Sequence, residues 1–415
     1  GQTLTLTGGT YKNFSTAIDN AGTLNVQGVT FEDNTTDVSN TGNIYLTETN
    51  TFGSAITGGG TTTLTSGTTT FNGAVSQGNI TLTSGTATFN EAVNATGTLS
   101  NSATATFAST VNAATINTSG TSNFNRAVTS TANTSITSGT STFASTVNAA
   151  TVAVSGGTAN FNGAVTATEV NLSSGTIHLG VENALSGVTT VTVTGGILDT
   201  ITGELEAQTL GSTFTLNNDL YWNLDVKLGE NKGADTLDTS TLTTTAKHIL
   251  VQTIKILDTT DKRYTKTYVS NNTNLNDIFE MKEGYSILNS NGDALSNYTV
   301  TVDTDTEGAY LYFKNTSINN FVSAVRENTG TASDPATITL SEDVSVSADI
   351  AELGDVENTT SIGAMGGVEL NIIGTGKTID GLASNETDKL GGITTTNGQT
   401  LTLTGGTYKN FSTAI

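Results

Sequence analysis

The sequence predicts an all-β fold, a right-handed parallel β-helix with about 18–21 residues per coil. Three observations predict it. An aromatic residue recurs at spacings of 17 to 19, a second apolar column precedes it, and Thr, Ser, Asn and Gly abound while only one proline is present. A thin solenoid buries one face of each coil, so the hydrophobic fraction of 35% is enough for its narrow core.

The aromatic column is the clearest short repeat. The phrase S-G-T-x-x-F-x-x-x-V recurs with its Phe residues separated by 18, 18, 17, 19 and 18 positions, and a Leu follows after 18 more. Strand alternation places each ring inside, together with the small residue two positions before it, and places the Thr three positions before it outside. The predicted core ladder consists of Phe71, Phe89, Phe107, Phe124, Phe143, Phe161 and Leu179.

A second apolar column runs from Leu6 to Leu172, five to eight residues before each aromatic residue, and Tyr11, Phe31 and Phe52 extend the aromatic column upstream. A disordered low-complexity repeat would show no such fixed spacing. A β-sandwich of hairpins would carry Asn-Gly or Asp-Gly turns between strands of even length. The parallel β-helix is therefore the favoured architecture.

A long repeat overlies the short one. Residues 398–415 are identical to residues 1–18, GQTLTLTGGTYKNFSTAI, at an offset of 397 residues. We expect a gene with near-identical tandem units of 397 residues, of which this chain is one unit plus the start of the next. An engineered duplication is the alternative. Both Gly1 and Ile415 fall in or beside strand-like sequence, which natural chain ends usually avoid.

Residues 201–330 differ in amino-acid composition from the rest of the chain. Ten of the 15 basic residues, seven of the ten Tyr and the only Trp, Trp222, lie there. This segment is either a widened, decorated stretch of the same helix or a small inserted β-domain. The predicted organisation is β-helix coils over 1–200, a β-rich section over 201–330, and coils over 331–415 that lead into the next copy.

Several phrases near the long repeat are typical of one family. Phe31–Asn34 (FEDN) fits an F-x-x-N phrase, and Ser15–Ile18 (STAI) and Gly53–Ile56 (GSAI) are imperfect versions of G-G-A-I. They resemble the passenger regions of autotransporter-type adhesins, especially the polymorphic outer-membrane protein group. The resemblance covers about a quarter of the chain and implies a right-handed β-helix, export across the outer membrane and adhesion. The S-G-T-x-x-F coils lack these phrases.

Composition and net charge disfavour or exclude several classes of binding partner and site. The net charge is −22 with a pI near 4.2, and the 15 basic residues are dispersed, which disfavours nucleic acid and anionic membranes as partners. No cysteine is present, so disulfides and thiolate metal sites are excluded. No run of about 20 apolar residues occurs, so we expect no membrane insertion of this segment.

The sequence offers little for catalysis, and we expect no enzyme. Between Gly53 and Thr168 the only charged residues are Glu91 and Arg126, whereas a catalytic cleft needs converging acids, bases or metal ligands. His178 is predicted to point outward beside Leu179. We therefore expect no catalytic, cofactor-binding or metal-binding residues.

Two groups of acidic residues and one Thr array are the remaining candidate sites. Asp303, Asp305 and Glu307 lack the ligand frame of a calcium loop and are interpreted as a solvated turn. The acids Asp19, Glu32, Asp33 and Asp37 of the first coils are likewise interpreted as solvated. Outward Thr pairs such as Thr68/Thr70, Thr86/Thr88 and Thr104/Thr106 resemble ice-binding arrays, but Asn123, Asn160 and His178 interrupt them, so ordinary strand surface is favoured.

These observations predict a structural or adhesive fibre or stalk at a bacterial cell surface. Its partners would be adjacent identical units of the same chain, with other filaments and surface glycans or proteins as further candidates. The first alternative is a specific binding module for a glycan or receptor, centred on residues 201–330, since aromatic residues favour recognition. A carbohydrate-active β-helix enzyme and an ice-binding solenoid are the remaining alternatives.

Overall fold

A computed structural model describes residues 1–244, 247–271, 278–318, 320–355, 358–385 and 387–413. It is a β-solenoid of about 11 turns, 58% strand and 3% helix, in which parallel sheets stack coil on coil. The predicted all-β parallel solenoid is confirmed. From Phe31 to Ile197 the turns have 17 to 21 residues, close to the predicted length.

The first large sheet covers two sides of the early coils. These two sides merge at Val93–Asn101, where one long strand spans both. Its strands are Thr3–Thr7, Thr16–Asn20, Thr23–Gln27, Thr36–Asn40, Asn43–Thr47, Ala55–Thr57, Thr61–Leu64, Val75–Gln77, Asn79–Leu82, Val93–Asn101, Val111–Thr118, Val128–Ile136, Val147–Val154, Val165–Leu172, Gly187–Val193, Thr213–Leu216 and Leu242–Thr244.

The second large sheet carries the aromatic column along the remaining side. Its strands pair in parallel with the strand one coil away, and only Gly233–Ala234 pairs antiparallel at its margin. The strands are Thr10–Lys12, Thr30–Glu32, Thr49–Phe52, Thr68–Phe71, Thr86–Phe89, Thr104–Phe107, Thr121–Phe124, Thr140–Phe143, Thr158–Phe161, Thr176–Leu179, Ile197–Asp199, Leu220–Lys227, Gly233–Ala234, Ile249–Asp258 and Phe279–Leu288.

The aromatic rings stack face to face down the core. Centroids of Phe71 and Phe89 lie 4.5 Å apart, those of Phe89 and Phe107 lie 4.9 Å apart, and the planes differ by 8° and 7°. The column extends up to Tyr11 through Phe31. All the Phe rings from Phe31 to Phe161 in this column are buried. The register therefore places like residues directly over one another.

The Ser-Gly corners explain why the coils close tightly. Gly85 has φ of +89°, which L side chains rarely adopt. A Cβ at Gly85 would lie 2.2 Å from the carbonyl oxygen of Gly67 in the preceding coil. Both the backbone angle and the close approach require glycine at this corner.

Residues 201–330 contain longer turns of the second sheet and two further small sheets. The second sheet continues through Leu220–Lys227, Ile249–Asp258 and Phe279–Leu288, with an offset of 29 residues between Leu220 and Ile249 in place of 18. The longer turns also carry a pair of parallel strands and an antiparallel sheet. These strands are Ala207–Thr209 with Thr236–Asp238, and Tyr264–Ser270, Ala309–Asn315 and Tyr298–Thr304.

A second, smaller core follows from Phe321 onward. Helices Phe321–Arg326 and Val346–Leu353 pack against parallel strands around Ile350, Leu370 and Ile379. Its strands form three short parallel stacks: Ala336–Thr339, Glu369–Ile373 and Thr400–Thr404; Val344–Ser345, Thr378–Asp380 and Thr407–Lys409; and Ser361–Ala364 with Gly391–Thr394.

The stacked column gives a direct stability prediction. Phe107 is fully buried between Phe89 and Phe124, so Phe107→Ala should lower the free energy of unfolding by about 3–5 kcal/mol. Urea unfolding followed by circular dichroism measures it. The control Thr104→Ala, on the exposed face of the same strand, should change it by less than about 0.5 kcal/mol. A loss below about 1 kcal/mol for Phe107→Ala would contradict the stacked core.

Candidate functional site: the two end coils

The repeated segment forms a coil at each end of the described chain. In the first copy, Thr3–Thr7 pairs in parallel with Thr23–Gln27, and Thr10–Lys12 pairs with Thr30–Glu32. Among the described residues, no strand pairs with the opposite edge of either strand. The first coil is therefore covered only on the side of the following coil.

In the second copy the opposite edge is covered. Thr400–Thr404 pairs in parallel with Glu369–Ile373, and Thr407–Lys409 pairs with Thr378–Asp380. Phe411 forms a parallel bridge with Leu390. The last two residues of the repeat, Ala414 and Ile415, lie outside the described residues. The structures of the two copies are therefore compared up to residue 413.

The two copies adopt the same local backbone although their neighbours differ. Their strands begin and end at equivalent residues. Gly8 and Gly405 have φ of 66° and 65°, and Asn13 and Asn410 have φ of 64° and 61°. The conformation of this coil is thus set by its own sequence.

Each copy exposes an apolar side chain whose equivalent in the other copy is covered by the adjacent coil. Leu4 is 46% exposed, whereas its equivalent Leu401 is half-buried against the preceding coil. Conversely, Leu403 is 38% exposed, whereas its equivalent Leu6 is buried. Here the two exposed sets belong to opposite edges of one and the same coil.

Charged side chains follow the same division. Lys12 Nζ lies 3.8 Å from Glu32 in the following coil, and Lys409 Nζ lies 3.0 Å from Asp380 in the preceding coil. A hydrogen bond from Asn410, together with Lys409, holds the pKa of Asp380 below its usual value. The same lysine position therefore pairs with acids on both sides.

Asp37 corrects one sequence interpretation. It was expected to be solvated, but it is fully buried on the strand Thr36–Asn40. Its carboxylate accepts hydrogen bonds from Asn34 Nδ2 at 3.0 Å and from the Ser54 amide at 2.8 Å, and burial raises its pKa. Asn34 also donates to the Tyr11 carbonyl, so the F-x-x-N phrase marks a buried polar link between coils.

A buried polar cluster near residue 200 was missed by sequence reasoning. Thr200 Oγ lies 2.6 Å from Asp235 Oδ2 and 3.0 Å from the Asn223 carbonyl, and it accepts from Trp222 Nε1. The hydroxyl has one proton for two acceptors. A proton on Asp235 satisfies both contacts, and burial raises the pKa of Asp235 to about 7. Asp235 is flanked by the buried Asp225, whose pKa is also raised by burial.

The other weighed acids and histidines form ordinary pairs. His178 lies on the outer face of its strand, 3.4 Å from Asp199. Asp305 pairs with Lys266 and accepts from Tyr268 Oη, which lowers the pKa of Asp305 to about 2. Within the described residues, no group of three or more metal-ligating side chains is close enough to hold an ion. The absence of enzymatic activity stays a prediction.

One aromatic cluster lies on the antiparallel sheet of residues 201–330. Lys266 Nζ is 4.0 Å from the centroid of the Tyr310 ring and 4.9 Å from that of Tyr268. Both rings are partly exposed. This cluster gives the section a partly exposed aromatic face around a lysine whose charge is paired with Asp305.

The comparisons with known proteins add no relative: no family model, no curated protein and no solved structure matches this chain. In the described part of the chain, none of the helices has the length and apolarity to cross a bilayer.

The raised pKa of Asp235 makes stability depend on pH. Its pKa is raised from 3.8 to about 7, so the stabilisation is complete below pH 3.8 and is lost as the pH rises through about 7. We expect the free energy of unfolding to fall by on the order of 3 kcal/mol between pH 4 and 8. Urea unfolding at fixed ionic strength across this range measures the slope.

A matched pair of variants assigns that slope. Asp235→Asn cannot ionise, so it should lose the part of the pH dependence that Asp235 causes. Asp261→Asn, at an exposed position, should keep the wild-type slope. An unchanged slope in Asp235→Asn would show that this carboxyl is ionised throughout.

Proposed function

We propose that the chain is one unit of an extracellular fibre or stalk made of near-identical 397-residue tandem units, with a structural or adhesive role. One observation carries the proposal: the same segment folds into the same coil at both ends, with opposite edges covered. In one period of a continuous solenoid, the first coil is covered only by the coil that follows it, and the last coil only by the coil that precedes it. Repetition then extends the rod without a new interface.

The solenoid suits a load-bearing role. Within each stack, hydrogen bonds between parallel strands run along the stacking axis, and the coils before residue 200 contribute them on at least two sides. The buried rings and aliphatic columns add continuous apolar contact along the same axis. Pulling two coils apart would break all of these contacts together, so the stack resists extension.

Charge and composition support an extracellular setting. The net charge of −22 favours mutual repulsion between fibres and solubility. The absence of cysteine makes folding independent of oxidising conditions. Together with the resemblance to autotransporter-type passenger regions, these features support an adhesin-like surface fibre of a bacterium.

A specific binding module is the second candidate. The cluster of Lys266, Tyr268 and Tyr310 favours it, because partly exposed rings stack on the flat faces of sugars and side chains, and Lys266 is held between them. In this reading the coils present residues 201–330 at a distance from the cell. The two roles are compatible within one fibre.

Electron microscopy tests the fibre. Proteins of one, two and three units should be rods whose length grows by the same increment with each unit, at least about 50 Å for about 11 turns. Compact or beaded particles, with units at variable angles, would contradict a continuous solenoid.

Binding assays test the module. On an array of glycans and surface proteins, Tyr310→Ala should weaken any specific binding about tenfold or more, since stacked aromatic residues dominate such contacts. The control Tyr45→Ala removes an exposed ring from the coil region and should leave binding unchanged. Equal losses for the two variants would place the binding surface elsewhere.

A further inference from the structure

We infer that the last coil of one unit and the first coil of the next are a single shared coil, covered on one edge by the first unit and on the other edge by a second copy of this sequence. The inference deepens the proposed function and rests on it. It names the partner surface: strands Glu369–Ile373 and Thr378–Asp380 of one unit, and Thr23–Gln27 and Thr30–Glu32 of the next.

Outside the strand ladders, the backbone groups that bond across the two edges do not overlap. Toward the preceding coil, for example, the Thr400 amide donates to Val368 at 2.8 Å, and the Thr404 carbonyl accepts from Gly374 at 3.0 Å. In first-copy numbers, the groups used there are the amides of residues 3, 10 and 15 and the carbonyls of residues 7 and 12. Toward the following coil they are the amide of Gly8 and the carbonyls of Gln2, Gly9, Phe14 and Ser15.

These bonds therefore form together on one coil without competition. A parallel strand in the middle of a sheet divides its amides and carbonyls between two neighbours in this way. An interior strand bonds to a neighbour on each side. The repeated segment makes one of these two sets of bonds at residues 1–18 and the other set at residues 398–413.

The apolar columns also join in register. Leu370 pairs with Leu401, and the equivalent Leu4 pairs with Leu24. In the next column Ile379 pairs with Tyr408, and the equivalent Tyr11 pairs with Phe31. The outer members Leu370, Leu24, Ile379 and Phe31 are all buried. A shared coil continues both core columns from one unit into the next.

At one register position, the sign of the side-chain charge alternates from coil to coil across the shared coil. Asp380, the lysine at position 409 or 12, and Glu32 occupy one register position on three successive strands. The lysine pairs with an acid on each side. Opposite charges on neighbouring strands favour this pairing, whereas a slip by one residue would break it.

Single cysteines test the shared coil, because the wild-type protein contains no thiol. In a two-unit protein, the position of Leu4 occurs in the first coil, at the junction and in the last coil. A cysteine there is placed in each copy in turn, and its labelling by a maleimide is timed. The junction thiol should react about tenfold or more slowly than either end thiol, because only the junction coil is covered on both edges.

A matched control uses the outward neighbour. Thr402→Cys and its two equivalents lie on the exposed face and should react at one rate in all three positions. In denaturant the inward thiols should also react at one rate. Rods with a junction thiol that reacts as fast as the first-coil thiol would overturn the shared coil while leaving the fibre intact. Particles that do not lengthen with added units would overturn the fibre itself.

Discussion

The structure depends on one constraint: residues one coil apart must fit directly over one another at the spacing between hydrogen-bonded strands. Like residues meet this constraint best, because identical shapes stack without voids. Phe107 shows it, with ring centroids 4.9 Å and 4.8 Å from its two neighbours in nearly parallel planes. The backbone ladder and the ring stack share one spacing, so each reinforces the other.

The same constraint explains what the sequence could predict. Phe71 through Phe161 recur because the core demands one large flat side chain per coil, and a period is visible without any structure. Glycine at the corners is visible for the same reason, since Gly85 cannot hold a Cβ against Gly67. Inward and outward positions follow from strand alternation, and Ala87 and Thr86 lie on the faces predicted for them.

Features that do not repeat could not be predicted in this way. Asp37 is acidic, so composition suggests a solvated residue, yet Asn34 and the Ser54 amide make its burial acceptable. Asp235 and Thr200 are 35 residues apart, and only the widened turns bring them together. Their contact depends on turn lengths that no periodic pattern encodes. The sequence shows that the two end coils are identical. The opposite exposure of Leu4 and Leu403 could not be predicted, because it depends on the different coil that packs against each copy.

A solenoid must also deal with its open edges, which offer unpaired strands to any other strand. Many solenoids end in atypical polar coils, but Leu4 and Leu403 are apolar and exposed at the two ends of this period. An apolar edge is hazardous unless something covers it. The edge at Thr400–Thr404 and the edge at Thr3–Thr7 belong to one sequence with one backbone conformation, so in the proposed fibre each unit would carry the cover that its neighbour requires. In that fibre the exposed leucines would lie at the seam between units, where the neighbouring unit would cover them.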